Sequence, residues 1–473
     1  MNIKFPSRLE WLSCSTGFTL MVFELVAARV LAPSIGSSMY VWTSVIGVII
    51  AALSVGYYAG GYMADKRSRA SDVLWLLIIT AILIALSAVF YPQLLPLLSL
   101  TQMDVRLQAV VATLVLFAPA SLVLGMMSPY LAKLQVTSLK TSGSAVAGLS
   151  AWNSIGGIAG TFLTGFFLFG WIGSRDIFGV LVVLLLLSTL LLQQKWQLKH
   201  WVAAGSVLLL STFVVADTSA ITIDTASAQY KVVEWHDDKA TYRGLVTGPK
   251  GMQSAIMLED SNEPIFWYTK EMTALIAATE QRQNILVLGG GTFTLPQQLA
   301  RTYPDSQIDV VEIDPGLADI AREHFFYEDE PNVELLFDDA RHFVNTTKRQ
   351  YDIIVVDVYG DSDIPFTLVT KEYGESLQRL VRPQGVVMAN FIAGTKGACR
   401  DMLAMFEAPY RQQFSERAMK LSADDGRPGV FNIVAVYANE PITYKGYTAV
   451  EVSRVAPYQD DFVPAERLRS ACR

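Results

Sequence analysis

Cysteine and histidine are scarce, at three and four in 473 residues. Cys14, Cys399 and Cys472 make no C-x-x-C pair, so no zinc site is read and no metal is expected. Two of the three lie in the C-terminal half, which neither demands nor excludes an oxidising compartment. His236, His324 and His342 show no pairing along the sequence, so no catalytic histidine is assigned. Charge is thin as well. Only 17% of residues are charged and the net charge is -7. Without a basic excess there is no footprint for nucleic acid, and none is expected as a partner. What the chain has in quantity is apolar residues, 52% of the total, with a mean hydropathy of +0.34. They are unevenly placed: the long apolar runs precede Asp217, and most acids follow it.

A helix crossing a bilayer needs about 20 apolar residues. About seven such runs occur, near 11–31, 39–63, 73–92, 107–128, 146–170, 176–192 and 201–216. Residues 1–217 therefore read as a multi-spanning α-helical bundle in a lipid bilayer. The first run is too polar, and too firmly followed by others, to be a cleaved signal. Glycines stripe two runs, at Gly47, Gly56, Gly60 and Gly61 and at Gly156, Gly157, Gly160 and Gly165. Such stripes let helices approach closely. Glu24, Arg29 and Asn153 sit inside spans, either paired near span ends or lining a polar cavity. Lys4, Arg8, Lys66, Arg67, Arg69, Lys133, Lys140, Lys195 and Lys199 fall on one side of seven spans, against Arg106 and Arg175 on the other. That puts the N-terminus in the cytoplasm and the C-terminal half outside. The last run is short, so the count is the weaker premise and the side stays open.

Residues 218–280 read as a small β unit with a helix after it. From 281 to 473 strands alternate with helices, which implies a parallel, doubly wound, Rossmann-like sheet. The expected strands are 284–288, 307–311, 333–337, 351–356 and 385–390, with 432–437 read as a structural strand. Ligands of such sheets bind beyond the carboxyl ends of the strands. Here Gly289, Gly290 and Gly291 follow the first strand, and Glu312, Asp339 and Asp357 follow later ones at one level. Gly289–Gly291 allow backbone to approach a ligand. Glu312, about 20 residues on, is placed for two ribose hydroxyls. Asp339 suits an adenine amino group, with Ala340 beside the ring, or else caps the next helix. The loop is not G-x-G-x-x-G, which disfavours a nicotinamide dinucleotide. Trp235, Trp267 and Tyr268 are read as core or lid packing, with closure over a bound ligand as the alternative.

These motifs carry a likeness. The segment Ile285-Leu-Val-Leu-Gly-Gly-Gly291, the run Val311-Glu-Ile-Asp314, the pair Asp339-Ala340 and the strand ending at Asp357 resemble the spermidine synthase (polyamine aminopropyltransferase) family. The whole chain is similar to its bacterial branch with a fused membrane region, which implies an integral protein of the inner membrane. The resemblance implies the methyltransferase/spermidine synthase fold and a transferase of polyamine biosynthesis. Its cofactor, consumed as substrate, would be decarboxylated S-adenosylmethionine or S-adenosylmethionine, and methylthioadenosine would leave; supply of such a cofactor from the cytosol argues for a cytosolic C-terminal half, against the charge count. Asp357 would be the catalytic base. Tyr359, Asp361 and Asp363 would meet an amine. Soluble relatives imply a homodimer. The sequence departs from the family at Thr292, where an acid usually holds the aminopropyl amine. It departs also at Thr269-Lys270-Glu271 and at Ser227-Ala-Gln229-Tyr230. Gln229, Thr292 and Lys270 are carried as cofactor contacts, Lys270 as a partner for an intact cofactor's carboxylate. Alternatives are methyl transfer, cleavage or cyclisation of S-adenosylmethionine, and a transporter or sensor with a nucleotide-binding domain.

Overall fold

The computed structural model describes the chain except residues 1–5, 37, 100, 102, 137, 139–140, 193–195, 213–220, 239, 249–250, 261–262, 360–363, 423–430, 449–454 and 473. Two compact units divide between Tyr230 and Lys231.

The first unit is helical: α1 (Arg8–Ile35), α2 (Met39–Lys66), α3 (Ala70–Ser99), α4 (Val105–Leu116), α5 (Ala118–Gln135) and α6 (Ser142–Leu163). A π-helical segment (Thr164–Leu168) leads α6 into α7 (Phe169–Trp171), followed by α8 (Ser174–Ser188) and α9 (Leu198–Thr212). The unit ends with β1 (Ile221–Asp224) and the first residues of β2 (Gln229–His236). Among the described residues five helices are long and apolar enough to cross a membrane, and α4 with α5 makes a sixth if that pair, bent by 56°, is one span. The bend falls at Phe117, because Pro119 at the start of α5 has no N–H with which to continue the α4 ladder. The seventh expected run is α9, with 15 residues described, short of the roughly 20 that a bilayer asks for.

Only some of the striped glycines serve close packing. A methyl group on Gly56 or Gly60 would collide with the α5 backbone at Leu122 or Met126. One on Gly156 or Gly160 would collide with α1 at Cys14 or Phe18. Gly47 and Gly165 face open space, so their place in the stripe is not a packing requirement.

The bundle has two distinguishable ends. At one, Gln135 donates to Ser7 at 3.2 Å, Lys133 meets Asp65 at 2.8 Å, and the His200 ring at the start of α9 lies 5.0 Å from Trp75 near the start of α3. At the other, Arg29 pairs with Asp224 at 3.3 Å and donates to the Phe169 and Thr225 carbonyls, while Ser174 donates to Asp224 at 3.3 Å. Arg29 is thus paired, one of its two expected roles. Asn153 donates to the Ser13 carbonyl at 3.0 Å, tying α6 to α1.

In the second unit β2 continues into β3 (Thr241–Thr247) and β4 (Gly251–Met257), paired antiparallel. Then come α10 (Trp267–Ala278), β5 (Asn284–Leu288), α11 (Thr294–Thr302), β6 (Gln307–Glu312), α12 (Gly316–His324) and β7 (Val333–Phe337). The chain continues through α13 (Ala340–Thr346), β8 (Tyr351–Val356), α14 (Lys371–Leu380), β9 (Val381–Ala393) and α15 (Gly397–Gln413). It ends with β10 (Glu416–Leu421), β11 (Phe431–Ala438) and α16 (Ala465–Ala471).

The large sheet runs β10-β11-β9-β8-β5-β6-β7. The five strands from β9 to the β7 edge are parallel, and β11 and β10 add antiparallel at the other edge. The apolar runs of β5 and β8 follow from burial on both faces, as parallel sheets require. The chain leaves β5 toward β6 and β7, then returns to β8 on the other side of β5. That makes the β5/β8 boundary the switch point where such sheets bind ligands. At the far end of the unit, Cys399 on α15 and Cys472 after α16 are joined by a disulfide, 73 residues apart. The sequence had left these two cysteines unpaired.

Candidate active site

The site forms where β5, β6 and β8 end. The turn after β5 is held by backbone: Gly289 N–H donates to the Val311 carbonyl at 2.9 Å, and Asp357 N–H donates to Leu288 at 2.9 Å. Gly289 has φ +94°, and a side chain there would strike the Asp357 carbonyl. Glycine is therefore required both by conformation and by the closeness of β8. Phe293, with φ 56°, closes the turn and packs its buried ring 5.2 Å from Tyr327.

Glu312 is 6% exposed and gathers the loop. Its carboxylate accepts from Gly290 N–H at 2.9 Å and from Asp314 N–H at 3.0 Å, with Gly291 N–H also in reach. Burial raises its pKa, and those amides pull it back. From β4, Ser254 accepts the Thr292 N–H at 3.1 Å, so the small sheet helps to shape the loop. The Thr292 hydroxyl is buried and shares a hydrogen bond with Thr294 at 2.9 Å.

Asp357 sits at the end of β8. Its carboxylate accepts from the Asn390 amide at 3.0 Å and from the Tyr268 hydroxyl. Burial raises its pKa, while those two donors lower it. The buried Tyr268 phenol is pushed well above its usual range, first by burial and then by the charge of Asp357. Tyr359 fixes the chain beyond: its hydroxyl donates to the Asn390 carbonyl and accepts from Ile392 N–H, both at 2.7 Å. Asn390 is 3% exposed, and its side-chain oxygen has no hydrogen-bond partner among the described residues. A buried acceptor without a donor is costly, and a ligand N–H would relieve it.

The structure thus brings Gly289, Gly290, Gly291, Thr292, Glu312, Tyr359 and Asp357 to one edge of the sheet. Asp339 stands at the end of the adjacent β7, exposed, and accepts from His342 N–H at 3.0 Å, so it is the N-cap of α13 with Ala340 buried behind it. Asp338 pairs with His342 Nδ1 at 2.7 Å, which corrects the reading of His342 as unpaired. Gln229 belongs to the first unit and binds Asp224 at 3.2 Å. Lys270 is exposed and pairs with Glu263 at 3.4 Å, while its neighbour Glu271 meets Lys420 at 2.6 Å. Asp361 and Asp363 lie outside the described residues. Sequence reasoning missed Tyr268, Asn390 and Ser254. The first was assigned to packing; the second is legible once β8 and β9 are set side by side, since Val356 pairs with Ala389 and Asn390 is next. A polar recess lined by Asp309, Glu334, Arg349 and Arg382 opens at the opposite, amino ends of the strands, where Arg349 bridges Asp309 and Glu334.

A doubly wound sheet with a glycine turn at its switch point and acids on successive strand ends defines a Rossmann-like domain of the methyltransferase and spermidine synthase type. Residues 265–394 match the spermine/spermidine synthase domain. That segment lies within the second unit, and there the chain is similar to the spermidine synthase family. It is 27% identical over 240 residues to the polyamine aminopropyltransferase of Vibrio vulnificus, covering 49% of this chain and 78% of that one. It is 31% identical over 157 residues to a probable polyamine aminopropyl transferase of Bifidobacterium longum, covering 33% of this chain and 34% of that one. Spermidine synthase 2 of Arabidopsis thaliana is 33% identical over 127 residues, with 25% of this chain and 37% of that one covered. Among solved structures, a probable spermidine synthase from Corynebacterium glutamicum is 24% identical, with a TM-score of 0.41 over 47% of this chain and 81% of that one.

Proposed function

We propose that this chain is a membrane-bound transferase that moves a three-carbon amine from decarboxylated S-adenosylmethionine to an amine acceptor. The observation that carries the reading is the Asp357 carboxylate, held between Tyr268 and Asn390 at the switch point and against the glycine turn that Glu312 gathers. The adenosine part would lie over the turn, with ribose hydroxyls on Glu312 and adenine near Asp339 and Ala340. An acceptor ammonium must lose a proton before it attacks. Asp357 would take that proton. The amine nitrogen then bonds to the methylene carbon beside the sulfonium, the carbon–sulfur bond breaks, and its electron pair stays on sulfur as neutral methylthioadenosine. The unpaired oxygen of Asn390 would accept from the same amine and orient it.

A second reading has its own support. Thr292 offers a hydroxyl already bonded to Thr294, with no carboxylate for an aminopropyl ammonium. That suits intact S-adenosylmethionine, in methyl transfer or cleavage of the cofactor. Lys270, engaged with Glu263, adds nothing to it. Calorimetry on the purified full chain with intact and decarboxylated S-adenosylmethionine, followed by mass spectrometry of products, separates the two. Preferred binding of the decarboxylated form, with product only when a polyamine is present, supports the transfer. Methylthioadenosine released without an amine overturns it in favour of cofactor cleavage. A nucleotide-bound sensor would give binding and no product at all.

A further inference from the structure

We propose that the C-terminal unit works outside the cytoplasm, in an oxidising compartment where its Cys399–Cys472 bond forms. The proposal rests on reading the apolar helices as membrane spans. Two independent observations then point the same way.

The first is where the chain leaves the bundle. The basic residues Lys66, Arg67, Arg69, Lys133 and Lys199 lie at or beside the helix ends α2/α3, α5/α6 and α8/α9. Those junctions share the bundle end marked by the Ser7–Gln135, Asp65–Lys133 and Trp75–His200 contacts. Lys4, Lys140 and Lys195 fall in the same connections by sequence and lie outside the described residues. The opposite end carries Arg106 and Arg175 in its connections. Excess basic charge marks the cytoplasmic side. The chain enters α9 at the basic end, by His200, and is next described in β1 from Ile221, whose last residue Asp224 is held by Arg29 and Ser174 at the other end. So α9, short as it is, carries the chain across, and the number of passes is odd.

The second is the bond itself. Disulfides persist in oxidising compartments and are rare in the cytosol. This one ties α16 to α15 within the second unit, and Cys399 also faces the Cys472 carbonyl. The distribution of thiols belongs with it. Cys14, the one cysteine of the helical unit, is free, and it lies near the basic end of α1. The two on the far side of the last helix are bonded. Formation is balanced as thiol–disulfide exchange. Two thiols give up two protons and two electrons to the disulfide of an oxidoreductase of that compartment, which becomes a dithiol. The consequence for catalysis is that both the sulfonium donor and the amine must be present, or be delivered, on the outer side.

The test uses the full chain with a C-terminal epitope in a bacterial host. Spheroplasts and inside-out vesicles are treated in parallel with a protease and with a membrane-impermeant maleimide, and alkaline carbonate extraction reports integration. Expected is a chain that resists carbonate, an epitope removed in spheroplasts and protected in inverted vesicles, and Cys399 and Cys472 alkylated only after reduction. An integrated chain whose epitope is protected in spheroplasts and cut in vesicles overturns the sidedness. Alkylation of both thiols without reduction overturns the bond. A chain stripped by carbonate overturns the span reading beneath both, and in no case is the transferase reading touched.

Discussion

Replacing Asp357 with asparagine separates chemistry from binding and from fold. The carboxylate receives two donors, the Asn390 amide at 3.0 Å and the Tyr268 hydroxyl. The replacement amide keeps one acceptor for Tyr268. Its new N–H₂ needs an acceptor, and Asn390 has a buried side-chain oxygen, without a partner among the described residues, that a rotation of its amide would present. The polar pairs therefore re-form, and the variant is expected to fold. The sign of the pH dependence follows from the raised pKa of Asp357. A carboxyl whose folded pKa lies above its unfolded value stabilises fully below the unfolded pKa and loses that contribution as pH rises through the folded pKa. The wild type should thus lose melting temperature relative to Asp357→Asn across that window and lie below it at neutral pH. Turnover goes the other way. Loss of a positioned base costs about 10²- to 10⁴-fold, or ~3–5 kcal/mol at about 1.4 kcal/mol per decade. The assay is methylthioadenosine release, beside calorimetric affinity for the sulfonium ligand and melting from acid to neutral pH. Wild-type turnover in the variant would refute the base. A variant that melts normally but loses affinity in step with turnover would instead make Asp357 a binding residue.

Three further expectations follow from the same geometry. Tyr268→Phe removes a donor that lowers the Asp357 pKa, so the acid limb of the rate profile should move to higher pH with modest loss of turnover; an unmoved limb would place the phenol outside the chemistry. Glu312→Gln trades the charged acceptor of the glycine turn for a neutral one, and charged hydrogen bonds contribute ~1.5–3 kcal/mol. Affinity for methylthioadenosine should fall about 10- to 100-fold, and an unchanged Kd by calorimetry would remove the ribose from Glu312. Cys472→Ser opens a loop of 73 residues. The chain-entropy estimate for that length is about 4 kcal/mol, so the unit should melt lower, and an unchanged transition under oxidising conditions would show that the bond does not form.

The glycine turn and the acids at Glu312, Asp339 and Asp357 were legible because parallel strands buried on both faces read as apolar runs, and whatever follows each run stands at the ligand edge. The antiparallel edge was half legible. Residues 432–437 read as a strand, but β10, with its mixed Glu416-Arg-Ala-Met-Lys-Leu421 pattern, offers no alternation to betray it. Tyr268 could not be told from a packing aromatic, since its role depends on α10 reaching β8, a contact between distant parts of the chain. The capping role of Asp339 is local, and the sequence carried it beside the adenine reading. The disulfide is invisible at a separation of 73, because only the docking of α16 on α15 brings the sulfurs together. In the helical half, hydropathy located the runs. The break at Phe117 needed the backbone consequence of Pro119, which a mean over a window conceals.

The absent side chain of Gly289 joins two functions that are usually discussed apart. The turn that would cradle the nucleotide and the residue that would take the proton are in backbone contact, with no room for a single carbon between them. Displacing that turn to admit a bulkier nucleoside would drag the base along with it. Donor choice and acid–base chemistry are therefore not separate dials in this domain. A change of donor should be sought at the β7 end, around Asp339 and Ala340, where the ligand edge can be recut without disturbing the register between β5 and β8.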